Sequence, residues 1–258
     1  MTALILLAHG SRHNQTEAAL HSLANKVQTS LPSPSYGGPS HVRIAWLDLT
    51  QPSLDTVCAE LAADGVHAAV AVPLLFTDAF HSRVDVPSQV AATSHHGVDV
   101  TVTAGLGLGD GVRRTVVQRI IEVAGIGATG AGAANPGHND VLIMAVGSSD
   151  AQANTDVRNF AAELDALMPG TVAAAFVVGP EKVKGAAAVE QARVRAANKG
   201  RGLIVVPLFT APGLLWEKVR CAAVDRSKSV SAPRYAEPLG DLLAPIVCCR
   251  WDSAALRV

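Results

Sequence analysis

The chain has 258 residues, 49% of them hydrophobic, enough for one large core or two moderate ones. A net charge of −1, the absence of a basic stripe and only 4% aromatic residues argue against a nucleic-acid partner. The apolar runs fall well short of the ~20 residues that span a bilayer, no basic n-region precedes the first of them, and Cys58, Cys221, Cys248 and Cys249 show no C-x-x-C spacing. These features predict a cytoplasmic protein with reduced thiols and no membrane partner.

In chain order, "ALILLAHG" reads as a buried strand and residues 15 to 30 as a helix, with Leu20, Leu23, Ala24 and Val27 at helical spacing. A Pro/Gly/Ser loop leads to a second strand, "HVRIAWLDL". The helix "PSLDTVCAELAADG" follows, with Pro52 near its start and Gly65 after its end. "HAAVAVPLLF" is the third strand, "VDVTVTAGL" the fourth, and "DGVRRTVVQRIIEVA" the closing helix. "GLGLGDG" before that helix lacks the spacing of a nucleotide-binding loop and reads as a plain glycine turn, so no nucleotide is expected. The strands are apolar on both faces, which favours a parallel sheet covered by helices.

Residues 124 to 138, "AGIGATGAGAANPGH", read as a linker. Beyond it the order repeats: "VLIMAVGSS" matches "LILLAHGSR", "TVAAAFVVGPEKV" matches "VRIAWLDLTQPSL", and "GLIVVPLFTAPGLLWEKV" matches "AAVAVPLLFTDAFHSRV". "PLGDLLAPIV" likewise matches "LGLGDGVRRTVV". The expected organisation is a lobe over 1–123, the linker, and a degenerate lobe over 139–258, a doubled α/β unit with a cleft between the halves.

In open α/β sheets ligands bind beyond the carboxyl ends of the strands. Strand one ends at His9, strand two near Asp48, and the loop after strand three carries His81, Arg83 and Asp85. Two imidazoles and a carboxylate suit a borderline divalent metal such as Fe²⁺, Co²⁺ or Ni²⁺. The repeat acts as a control. The first block puts Val146 at His9, the second, aligned on Pro52 and Pro180, puts Phe176 at Asp48, and the third, aligned on Val-Pro-Leu, puts Leu215 at His81, while Gly147 and Ser148 keep the Gly10–Ser11 pair. One live site and one structural copy are therefore expected. Each residue also has a bland reading: a strand-end histidine or aspartate can simply organise a turn. His13, His95, His96 and His138 read as solvated loop residues, since neighbours such as 95 and 96 rarely converge on one ion.

"LLAHGSRH", "LDLTQPSL" and "VAVPLLFTDAFHSRVDVP" together resemble the class II chelatases, specifically the sirohydrochlorin chelatases in their long, two-half form. The resemblance covers the first half and, in degenerate form, the second. It implies ATP-independent insertion of Fe²⁺ or Co²⁺ into a tetrapyrrole, with iron toward sirohaem ranked ahead of cobalt toward cobalamin. It implies His9 and His81 as catalytic residues, and His9, His81 and Asp48 as metal ligands. Gly10, Ser11, Arg12, Arg83 and Asp85 are then candidates for substrate binding, with Arg12, Arg83 and the N–H groups around Gly10 and Ser11 facing the substrate's carboxylates. The resemblance also implies that each half is a flavodoxin-like lobe, a parallel sheet flanked by helices, the two facing across a cleft where the macrocycle sits; a monomer with two pseudo-equivalent lobes is expected. Asp48 stands where the family commonly has glutamate, and Ala79 where it has glycine. These departures keep open a carrier of tetrapyrrole or metal that does not catalyse insertion, and a two-lobed protein binding some other small ligand.

Overall fold

The structure, a computed structural model, describes residues 1–77, 85–125, 139–224 and 232–255. The first half runs β1 (Thr2–Ala8), α1 (Asn14–Ser30), β2 (Val42–Trp46), α2 (Leu54–Ala63), β3 (Ala68–Pro73), α3 (Val86–Ala92), β4 (Asp99–Val102) and α4 (Asp110–Ala124). The second runs β5 (Asn139–Ala145), α5 (Ala151–Asp165), β6 (Val172–Phe176), α6 (Gly185–Asn198), β7 (Gly202–Pro207), α7 (Leu214–Val224), β8 (Arg234–Tyr235) and α8 (Ala244–Ala255). Two parallel four-stranded sheets result, ordered β2-β1-β3-β4 and β6-β5-β7-β8. This is the flavodoxin-like order that the resemblance implies.

Each first strand is central, and its composition shows why. Ala3 to Leu7 are fully buried. Ala3, Ile5 and Leu7 face a core with Leu54, Val57 and Leu61 of α2 and Val86 of α3. A strand covered on both faces has no reason to alternate with polar residues. β4 is the exception: mostly exposed at the sheet edge, it is shorter than the "VDVTVTAGL" stretch suggested.

The compact units are Met1–Val112 with Gly240–Val258, and Arg113–Leu239. The linker-based division puts α4 with the first half and α8 with the second; by packing, most of α4 counts with the second unit and α8 with the first. Helix α8 packs on α1 and β3. Its Arg250 donates to the carbonyl of Gly105 at 2.9 Å. In the second unit, Arg119 of α4 donates to the carbonyl of Pro238 at 2.8 and 3.1 Å, and Arg113 pairs with Glu163. An amphipathic helix keeps the same periodicity whichever sheet it covers, so the pattern carries no sign of the exchange.

The registers superpose the two halves. Leu7 pairs with Pro73 and Ala8 with Trp46; Met144 pairs with Pro207 and Ala145 with Phe176. His9 therefore corresponds to Val146, as the sequence repeat has it. Phe176 corresponds to Trp46, however, which makes Val178 the counterpart of Asp48. Aligning the two prolines missed this because the turns after β2 and β6 differ in length by two residues before Pro52 and Pro180. The replacement is apolar either way.

Where β1 has Ala3, β5 has Asp140, which is buried and accepts from Thr171 N (3.1 Å), Arg201 (3.0 Å) and Lys199 (3.2 Å). Burial pushes its carboxyl up, but these three partners outweigh burial and hold it below the ordinary carboxylate range. A depressed folded value contributes stability that is present above the unfolded value of about 3.9 and lost as pH falls through the folded one. Asp140→Asn is expected to lower unfolding free energy at pH 7 by about 1.5–3 kcal/mol. In denaturant titrations the gap from wild type should close as the pH is lowered below about 4.

Candidate functional site

The site grows from the carboxyl end of β1. The chain leaves the strand at His9, and the loop after β2 comes alongside: Leu47 N donates to the carbonyl of Ala8 at 2.8 Å. Gln89 of α3 braces that loop from the other side, its Nε2 donating to the carbonyl of Leu47 at 2.7 Å. Ser53 closes the loop by capping α2, its hydroxyl accepting from Thr56 N at 3.2 Å. Within it, Leu49 has φ of 55°, the single positive value outside glycine among the described residues. A leucine there costs about 1 kcal/mol, and the braces on either side hold it.

This loop carries Asp48 to His9. Asp48 Oδ1 lies 2.8 Å from His9 Nδ1 and accepts from Gly10 N at 2.9 Å. The side chains are 46% and 42% exposed, so the pair contributes little to stability. Its value is geometric. An ionised carboxylate only accepts, so Nδ1 of a neutral His9 carries the proton and Nε2 keeps its lone pair. The arrangement places a ring nitrogen with its lone pair at the strand end, on an imidazole oriented from behind by a carboxylate.

Gly10 is required by a close approach. A Cβ placed on it would lie 1.8 Å from the carbonyl oxygen of Asp48. Gly147, with φ of 92°, has the same relation to Val178 O at 2.2 Å. The glycine persists in both halves because two turns touch there, with or without a histidine. Ser11 is similar. Its N donates to Thr50 Oγ1 at 3.1 Å, and its Oγ accepts from His13 N at 3.1 Å, as Ser148 Oγ accepts from Asp150 N at 3.0 Å. The N–H groups of Gly10 and Ser11, expected to meet substrate carboxylates, thus have partners inside the turn. His13, expected to be a solvated loop residue, caps α1: its Nδ1 accepts from Gln15 N at 3.3 Å.

Arg12 is exposed, with no hydrogen-bond or ion-pair partner among the described residues. Asp85 precedes α3 at the N-cap position without making a capping hydrogen bond. Pro73 lies beside Leu7, so the chain leaves β3 at the same sheet edge as His9; His81 and Arg83 then fall outside the described residues. Thr50 and Gln89, which position the Asp48 loop, escaped the sequence reading because neither belongs to a metal-ligand residue type. A cavity of about 630 Å³ opens beyond β3 and β4, walled by Phe76, Val86, Pro87, Val90 and Val102 with Arg250 at its margin. Neither His9 nor Asp48 lines it.

These features define a duplicated, flavodoxin-like α/β protein in which the first half alone keeps an imidazole–carboxylate pair at its strand ends. The chain belongs to the CbiX family, which it matches over residues 3–123 and again over 140–248. The sirohydrochlorin cobaltochelatase of Sulfurisphaera tokodaii is 25% identical over 123 residues, covering 48% of this chain and 94% of that protein. The sirohydrochlorin ferrochelatase of Bacillus subtilis is 26% identical over 172 residues, covering 65% of this chain and 59% of that one. Among solved structures, SirB from Bacillus subtilis with Fe³⁺ superposes with a TM-score of 0.72 at 20% identity, over 98% of this chain and 95% of that one. Among the described residues no helix is long and apolar enough to cross a membrane.

Proposed function

We propose that this protein is a sirohydrochlorin chelatase, inserting Fe²⁺ or Co²⁺ into the macrocycle without ATP. The carrying observation is the 2.8 Å His9–Asp48 contact, which leaves Nε2 of His9 as a lone-pair donor at the strand end. Membership in the CbiX family and the two chelatase relatives support the substrate class. Insertion exchanges one M²⁺ for two pyrrole N–H protons. A neutral imidazole near neutral pH can ligate the incoming ion or take one of those protons. Asp48 is the positioning residue: its Oδ1 already serves His9 and Gly10, which favours orienting the ring over holding the ion. His81 is the second imidazole of this scheme. Arg12, Arg83 and Asp85 are the side chains offered to the substrate's periphery, with Arg12 the best supported by its exposure and lack of a described partner. We further propose iron as the first metal, a cytoplasmic location, and a single chain as the working unit.

The test is turnover. Purified protein, sirohydrochlorin and Fe²⁺ or Co²⁺, at matched free-metal concentrations, should give the metallated absorption spectrum faster than a protein-free control. Tight binding of sirohydrochlorin without acceleration would replace the enzyme by a carrier. Acceleration by Co²⁺ but not Fe²⁺ would reverse the metal ranking.

A further inference from the structure

We propose a second metal site on the first unit, formed by Asp55, His95 and His96, that takes an exchangeable divalent ion of the borderline class such as Co²⁺, Ni²⁺ or Zn²⁺. It is independent of the chelatase reading and shares no residue with the His9 site.

Asp55 lies in the first turn of α2, and α2 packs on the 3₁₀ turn Thr93–His96 that follows α3. Asp55 Oδ1 is 2.9 Å from His96 Nε2 and 3.7 Å from His95 Nε2. One ligand atom from each of the three residues lies within 4.8 Å of the others. Bond lengths of about 2.0–2.2 Å to nitrogen and oxygen in tetrahedral geometry place neighbouring ligand atoms roughly 3.3 Å apart. The two separations from Asp55 straddle that spacing, and the His95–His96 separation lies within 4.8 Å; the ion takes the place of the proton that His96 Nε2 donates to Asp55, that proton moving to Nδ1 of the same ring.

Adjacent histidines usually diverge; here the backbone brings them together. The 3₁₀ turn ends on Gly97 in the left-handed conformation, and the two rings sit side by side, with centroids 3.8 Å apart and planes tilted by 41°. His95 is set up further. Its Nδ1 is 2.8 Å from the carbonyl of Ala92, an acceptor only, so that nitrogen carries the proton and Nε2 faces Asp55 with its lone pair. A backbone carbonyl behind the ligating imidazole is the usual outer support of a metal-bound histidine. Two imidazoles and a carboxylate match borderline ions better than Mg²⁺ or Ca²⁺, which take oxygen ligands. Three protein ligands on a largely exposed surface leave positions for water, which makes the ion exchangeable.

The experiment uses the full chain carrying His9→Ala and His81→Ala, which removes the strand-end site. Equilibrium dialysis against micromolar Co²⁺ should retain one ion per chain, with a visible absorption band from nitrogen ligation. Adding Asp55→Asn together with His96→Gln should weaken retention by about 100-fold or more. His95→Gln alone should weaken it as well, and since His95 and Asp55 are exposed while His96 is largely covered, thermal melts in chelator verify that each variant stays folded at the dialysis temperature. Absence of retention in the parent, or retention unchanged by these substitutions, would overturn the site.

Discussion

His9→Ala is expected to lower the rate of metal insertion by about 100-fold or more, because it removes the one described nitrogen that can meet the ion or a pyrrole proton at the end of β1. The loss should appear in single-turnover metallation at saturating sirohydrochlorin, with affinity for the macrocycle changed far less. Asp48→Asn separates orientation from ligation. Its amide can still face His9, but it no longer fixes the proton on Nδ1, so the population with an unprotonated Nε2 falls. A loss of about 10- to 100-fold is expected there, the range of a missing outer partner. The second half supplies the opposite control. Val146→His puts an imidazole at the strand end of β5, but the residue in the place of Asp48 is Val178, so no carboxylate orients the ring. That variant should gain no activity in a His9→Ala background. Wild-type rates in His9→Ala would remove the chemistry from this strand end altogether.

What the sequence made legible here depended on what kind of force placed each residue. The α/β class, the duplication and the buried central strands rest on burial of "LILLA" and "VLIMA", which period and composition report directly. His9 was legible because a polar residue ended an apolar run whose copy ended in valine. The role of Gly10 was not. Its retention beside Gly147 marks a backbone device common to both halves without showing what requires it; the cause is a carbonyl packed against each Cα. Such close approaches are long-range and leave no periodic trace. The same limit applies to Asp48 and Val178, paired by strand register and not by proline spacing, and to Asp55 with His95 and His96. Those three come together only because α2 packs on the turn after α3. His13 shows the converse: a histidine in a motif rich in polar residues is occupied in capping a helix.

Gly10→Ala and Gly147→Ala form the second pair of expected results, and their contrast is the sharper test of a duplicated fold with one working half. In each, the new methyl would meet a backbone carbonyl, at 1.8 Å from Asp48 O and 2.2 Å from Val178 O, so the two turns must separate. Backbone cannot yield as a side-chain tip does, and Gly147 carries a further penalty from its φ of 92°. Each variant should lose about 2–4 kcal/mol of stability, visible as an earlier transition in thermal or denaturant melts. Their chemistry should differ. Separating the turns after β1 and β2 moves Asp48, whose Oδ1 accepts from both Gly10 N and His9. Gly10→Ala should therefore approach the metallation rate of His9→Ala while still folded. Gly147→Ala disturbs a turn whose corresponding residues are Val146 and Val178, neither able to hold an ion or a proton. At a temperature below both transitions it should keep most of the wild-type rate. Equal loss in the two folded variants would show that the second turn takes part in the reaction, and the division between a working half and a structural copy would fail.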